Sequence, residues 1–166
     1  MIDRGALIVL RGSTAYRGTW RPALDAHPRA KEPSLRAVVR EYREALLDGE
    51  GVLEDLDLAN DLLQRTRDAG ITDLELIIFE VPQPTPAGAL PLAVEPPAEG
   101  FSLAGWDVIE LIEPFCSALR DAPESLQRND VGLLPDRATA ESLARAHNAT
   151  APDDEVVAAR IWRPDA

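Results

Sequence analysis

The chain has 166 residues, 45% of them hydrophobic and 28% charged, and carries a net charge of −12. That length suits one domain with a sizeable core, and the apolar content excludes disorder of the whole chain. The acidity argues against phosphate-led nucleic-acid binding and against docking on an anionic membrane; both need a surplus of Lys and Arg on some face. A single cysteine, Cys116, excludes an intrachain disulfide and a cysteine-built zinc site.

The first apolar run, residues 6–10 (ALIVL), lies between Gly5 and Gly12 and reads as a buried strand. Five residues are too few for a signal peptide's apolar region or a membrane span, so the expected location is the cytoplasm. Residues 13–31 mix Gly18, Pro22 and Pro28 with Tyr16 and Trp20, and read as a loop with a short strand near 16–20. Residues 33–48 form the first helix, because Leu35, Val38, Val39, Tyr42 and Leu46 fall on one face. Pro33 suits its first turn and Gly49 its end.

A second helix is expected over 53–69, with Leu56, Ala59, Leu62, Leu63 and Thr66 inside. Glu54, Asp55 and Asp57 sit at its start and Arg65 and Arg67 at its close. With the first helix it makes a helical hairpin. Residues 73–81 (DLELIIFEV) are apolar at alternate positions on both faces, which predicts a central strand covered on both sides for part of its length. Residues 82–97 hold six prolines and read as a surface loop, broken by a short edge strand at 90–94.

A strand over 101–112 follows, strongest from Trp106, then a short strand within 115–119. A turn-rich stretch spans 120–134 and a small-faced helix 136–147, stopped by Asn148, before a last strand over 155–162. The fold class is α+β, a mostly antiparallel sheet with about three helices packed on one of its faces, in a single domain over 1–166.

Chemistry is not specified by any motif. His27 lies in a loop and His147 at a helix end; Cys116 has the setting of a small buried residue. No HExxH, GxSxG or phosphate-binding loop occurs. Read as a calcium loop from Asp55, the chain places Ala59, Asn60 and Thr66 where a ligand, a glycine and a bidentate glutamate belong. The expectation is no catalytic residue, no metal and no cofactor.

The acidity is uneven. Residues 1–50 carry nine basic and seven acidic groups, 51–100 two and ten, 101–166 six and twelve. Between Glu44 and Asp61 stand seven acids (Glu44, Asp48, Glu50, Glu54, Asp55, Asp57, Asp61) and no base. On a hairpin tip they would sum to a local negative field that a basic protein could dock against; the plainer reading is a solvated turn with dipole complementation. Trp106 is the second candidate, as an interface anchor at a strand start or as an ordinary core residue.

Three segments, GWDVIELIEPFCSALR (105–120), NDVGLLPD (129–136) and DDEVVAARIWR (153–163), resemble bacterial immunity proteins of polymorphic toxin systems. The resemblance covers roughly the last 65 residues and transfers no catalytic residue. It implies a protein that neutralises a basic toxin by binding it, without turnover. A small enzyme or ligand-binding domain with a site on the sheet, and a structural or assembly adaptor, are the alternatives, and a homodimer stays open.

Overall fold

The computed structural model describes residues 4–11, 27–42, 52–81, 96–110 and 116–166. Six strands and three α-helices occur among them: β1 (Arg4–Leu10), α1 (Pro33–Glu41), β2 (Val52–Leu53), α2 (Leu56–Asp68), β3 (Leu74–Glu80), β4 (Phe101–Glu110), β5 (Cys116–Ser117), α3 (Arg137–Thr150) and β6 (Val156–Pro164). The strands make one sheet in the order β2-β1-β3-β6-β4-β5, with each pairing antiparallel. The α+β reading holds.

Alternation along β1 and β3 organises the layers. Leu7, Val9, Ile77 and Phe79 point into a cluster with Ala140 and Ala144 of α3 and with Leu119, Leu133 and Leu134. Ala6, Ile8, Leu74 and Leu76 point the other way, to Leu35 and Val38 of α1 and Ala59, Leu62 and Leu63 of α2. Helices therefore cover both faces, not one as expected. A strand apolar at successive positions leaves no solvent-tolerant face, so β1 and β3 each need two covers.

Local chemistry shifts several boundaries. α2 starts at Leu56, three residues later than its pattern suggested, because Asp55 accepts hydrogen bonds from the N–H groups of Asp57 (2.9 Å) and Leu58 (3.1 Å) and so caps it. Leu53 lies in the sheet instead, buried opposite Ala6. Asn148 does not stop α3, which runs to Thr150. Its amide pairs with the backbone of Val156 on both sides, at 2.9 Å each, and so ties the start of β6 to the helix. Within residues 33–48 the helix is described to Glu41; the strands proposed near 16–20 and 90–94 fall outside the described residues.

Trp106 is 7% exposed and belongs to the core, so of its two expected readings the core one holds and the exposed interface anchor is corrected. Its backbone makes a reciprocal pair with Leu134, at 2.9 and 2.8 Å, pulling the 129–134 turn onto β4. Gly105 admits that approach. It sits at φ +145° beside a β-bulge, and a Cβ there would lie 2.8 Å from Leu133 Cβ and 2.9 Å from the Leu134 carbonyl. Asn129 locks the turn, accepting from the N–H groups of Val131 and Leu133 while its Nδ2 donates to the Ala104 carbonyl at 2.6 Å. Asp107, fully buried, accepts from the Ser117 hydroxyl (2.5 Å) and the Val108 N–H (2.7 Å), and Ser117 Oγ in turn accepts from the Leu119 N–H.

Two substitutions test this half of the sheet. Gly105→Ala combines a disfavoured φ with a backbone clash and is expected to cost about 2–4 kcal/mol, read as a lower urea midpoint at unchanged slope. Ser117→Ala removes one donor to the buried Asp107 carboxylate and is expected to cost about 1–3 kcal/mol in the same assay. A midpoint unmoved by either change would contradict the packing described.

Candidate acidic surface

Four of the seven acids in the run are among the described residues; Glu44, Asp48 and Glu50 lie outside them. Glu54, Asp55, Asp57 and Asp61 are all exposed. α2 buries Ala59, Leu62, Leu63 and Thr66 against the sheet, so helical periodicity places Asp57 and Asp61, four apart, together on the solvent side. Gln64 and Asp68 continue that stripe and hydrogen-bond each other at 2.9 Å. From Asp57 to Asp61 the rise is about 6 Å, within one Debye length at physiological salt, so these charges partly add.

Their individual employments differ. Asp55 serves the helix cap. Asp61 accepts the hydroxyl of Tyr42, a residue otherwise buried against α2, and that hydrogen bond, followed by burial, pushes the Tyr42 phenol above its ordinary value. Beside it Arg65 pairs with Glu41 of α1, which raises the guanidinium further and fastens the two helices together. Glu54 and Asp57 take part in no ion pair among the described residues. The end of the stripe nearest β2 is thus its uncompensated part.

The nucleophile candidates Cys116 and His147 lie in β5 and α3. Cys116 is a strand residue opposite Glu110. His147 buries its Nε2 without a hydrogen-bond partner among the described residues. No group of three or more His, Cys, Asp or Glu side chains suited to a metal ion occurs among the described residues. His27 is buried and structural: its Nδ1 accepts the Arg29 N–H at 3.1 Å, so Nε2 carries the proton and donates to Asp73 at 3.0 Å. Arg29 extends the cluster to Glu32 and to the Gly70 carbonyl.

One feature had no signal in the sequence. Where β1 and β6 finish and β3 and β4 begin, the structure opens a cleft of about 850 Å³ lined by Arg11, Arg67, Glu75, Asp130, Arg163 and Asp165. Its charged residues are up to 154 positions apart in the chain (11 to 165), so no local pattern could have brought them together.

Comparison with protein-family models, curated proteins and solved structures gave no match. Among the described residues no helix is long and apolar enough to cross a membrane.

The His27–Asp73 contact makes a pH prediction. The hydrogen bond from His27 holds the Asp73 carboxyl below its ordinary value of 3.8. A depressed carboxylate stabilises the fold above its unfolded pKa and loses that contribution as pH falls through its folded pKa. Wild-type protein should therefore lose stability below about pH 4, and Asp73→Asn should flatten that part of the profile. The change will be shallow because the Asp73 side chain is 60% exposed. Equal slopes for both proteins in urea midpoints between pH 5 and 2.5 would remove the contact from the account.

Proposed function

We propose that the protein is a non-catalytic binding protein that neutralises a basic protein partner through its acidic surface, in the manner of a bacterial immunity protein acting on a toxin. The observation that carries this reading is the exposed start of α2, where Glu54 and Asp57 have no ion pair among the described residues, in a chain whose net charge is −12. Such a surface steers a cationic protein and accelerates its encounter, more than it deepens the final affinity. A nuclease fits the partner's part, since its own substrate is polyanionic and its site correspondingly basic. The partner's cationic side chains would meet carboxylates already held on a helix packed to the sheet, so little ordering is needed on this side.

The segments that carry the family resemblance have a different part in this scheme. Gly105, Trp106, Asp107, Ser117, Asn129 and Leu134 hold one half of the sheet together, as described above. They serve construction, while the proposed docking surface lies on α2.

The test is a charge reversal on residues whose side chains carry no structural bond among the described residues. The partner is first recovered by crosslinking in the native host, and its association rate with the purified chain is then measured at two ionic strengths. Glu54→Lys with Asp57→Lys is expected to slow association by about tenfold at low salt, with little change in dissociation. Raising salt from about 50 to 300 mM should slow the wild type toward the variant. A rate indifferent to salt and to the substitutions would sink the electrostatic reading.

A further inference from the structure

β4 is paired along its whole length with β6 on one side, from Phe101 to Glu110. Its other edge is covered in three places among the described residues. β5 pairs with Ile109 and Glu110, Leu134 pairs with the backbone of Trp106, and Asn129 bonds the Ala104 carbonyl. Residues 101–103 lie beyond all three.

Backbone bonds show which groups this stretch turns outward. In an antiparallel strand both polar groups of a residue point to one side, and those of the next residue to the other. The Gly100 carbonyl accepts from the Asp165 N–H at 2.8 Å, on the β6 side. Ser102, two residues on, faces β6 as well, while Phe101 and Leu103 turn their N–H and C=O groups away from it. Pro164 stands opposite Phe101, which agrees: at such a pair no N–H is required of it. On the outer side Phe101 and Leu103 make no hydrogen bond among the described residues. Leu103 is also 40% exposed, one of two large apolar side chains so exposed among them.

We propose that residues 101–103 form an interaction edge to which a basic protein adds an extended strand, apolar and cationic at alternate positions. The outward N–H and C=O groups require an extended backbone, and its apolar side chains would lie beside Phe101 and Leu103. The next side chains fall on the Ser102 face, where Asp130 and Asp165 are exposed and have no ion pair among the described residues. The turn that carries Asp130 adjoins the outer edge through Asn129 and Leu134. Arg163, opposite Ser102, is neutralised by Glu75. Arg11 continues β1, three strands from β4 and so about 14 Å away, beyond a Debye length. A second copy of this chain fits less well, because a two-fold axis at Ser102 would bring Asp130 and Asp165 of both copies to one seam. The edge serves the kind of basic partner proposed above, on residues separate from the α2 stripe.

The test is a titration of the full, nitrogen-15-labelled chain with a capped peptide of alternating valine and lysine, about six residues long, followed by amide NMR shifts. The Phe101 and Leu103 amides should be among those that move most, with a dissociation constant below about 1 mM. Glutamate in place of lysine, or methylation of alternate peptide nitrogens with the charge kept, should each weaken binding about tenfold or more. Leu103→Pro deletes one outward N–H and no bond to β6, a change edge strands tolerate, and should weaken binding about tenfold at a little-changed urea midpoint. Glu54→Lys with Asp57→Lys should leave peptide binding unchanged, so failure here and failure of the α2 reading are distinguishable. No binding at about 5 mM peptide, shifts confined to other residues, or equal binding of the acidic and methylated peptides overturns the proposal. So does a dimer in analytical ultracentrifugation that Leu103→Pro dissolves, which would give the edge to a second copy.

Discussion

Two strands with no polar face constrain the rest of this structure. β1 and β3 carry apolar side chains at successive positions, so neither side of the central sheet can meet water. The chain supplies two unlike covers. α1 and α2 lie over Ala6, Ile8, Leu74 and Leu76, while α3 and the 118–134 segment lie over Leu7, Val9, Ile77 and Phe79. Each buried aliphatic side chain contributes on the order of 1.5–3 kcal/mol, so losing either cover would exceed the net stability of an ordinary domain. Where the covers stop, at the end of the sheet, the strand residues turn polar and the cleft of Glu75, Arg163 and their charged neighbours opens.

The second cover is the more demanding to build, because it is mostly irregular chain. Segment 118–134 contains one short 3-10 turn and otherwise depends on side-chain bonds for its shape. Asn129 supplies the turn, Gly105 the room for it, Trp106 the backbone pairing and Asp107 the bond to Ser117. Buried polar groups in such a place are costly unless satisfied, and here each of these has named partners. These residues serve construction, and the acidic surface is a separate feature carried by α2, with its own geometry.

That geometry separates acids with a structural employment from acids without one. Asp55 caps α2, Asp61 holds Tyr42, Glu41 pairs with Arg65, and Glu80 gathers Arg4, Arg160 and the Trp162 indole. Glu54 and Asp57 remain exposed with no such bond among the described residues. Self-repulsion among exposed carboxylates costs folding free energy, a cost that a basic partner of the kind proposed would relieve on docking.

The amino-acid pattern alone determined the class of elements and most of their positions. The double apolar alternation of residues 73–81 marked a central strand, the 3.6-residue spacing in 33–48 marked a helix, and Gly70 marked the end of α2, since these signals act over a few residues through backbone geometry and burial. It also determined the uneven acidity and the absence of any local catalytic motif. Tertiary structure decided what depends on distant partners. Leu53 joined the sheet because β1 offered an edge and Asp55 capped the helix behind it. Trp106 went inside because the 129–134 turn closed over it. Helices took both faces because alternation demands covers without saying which segments supply them. The cleft's walls come from strand ends, the end of α2 and the 129–134 turn, far apart in the chain, and only the sheet and its covers bring them together.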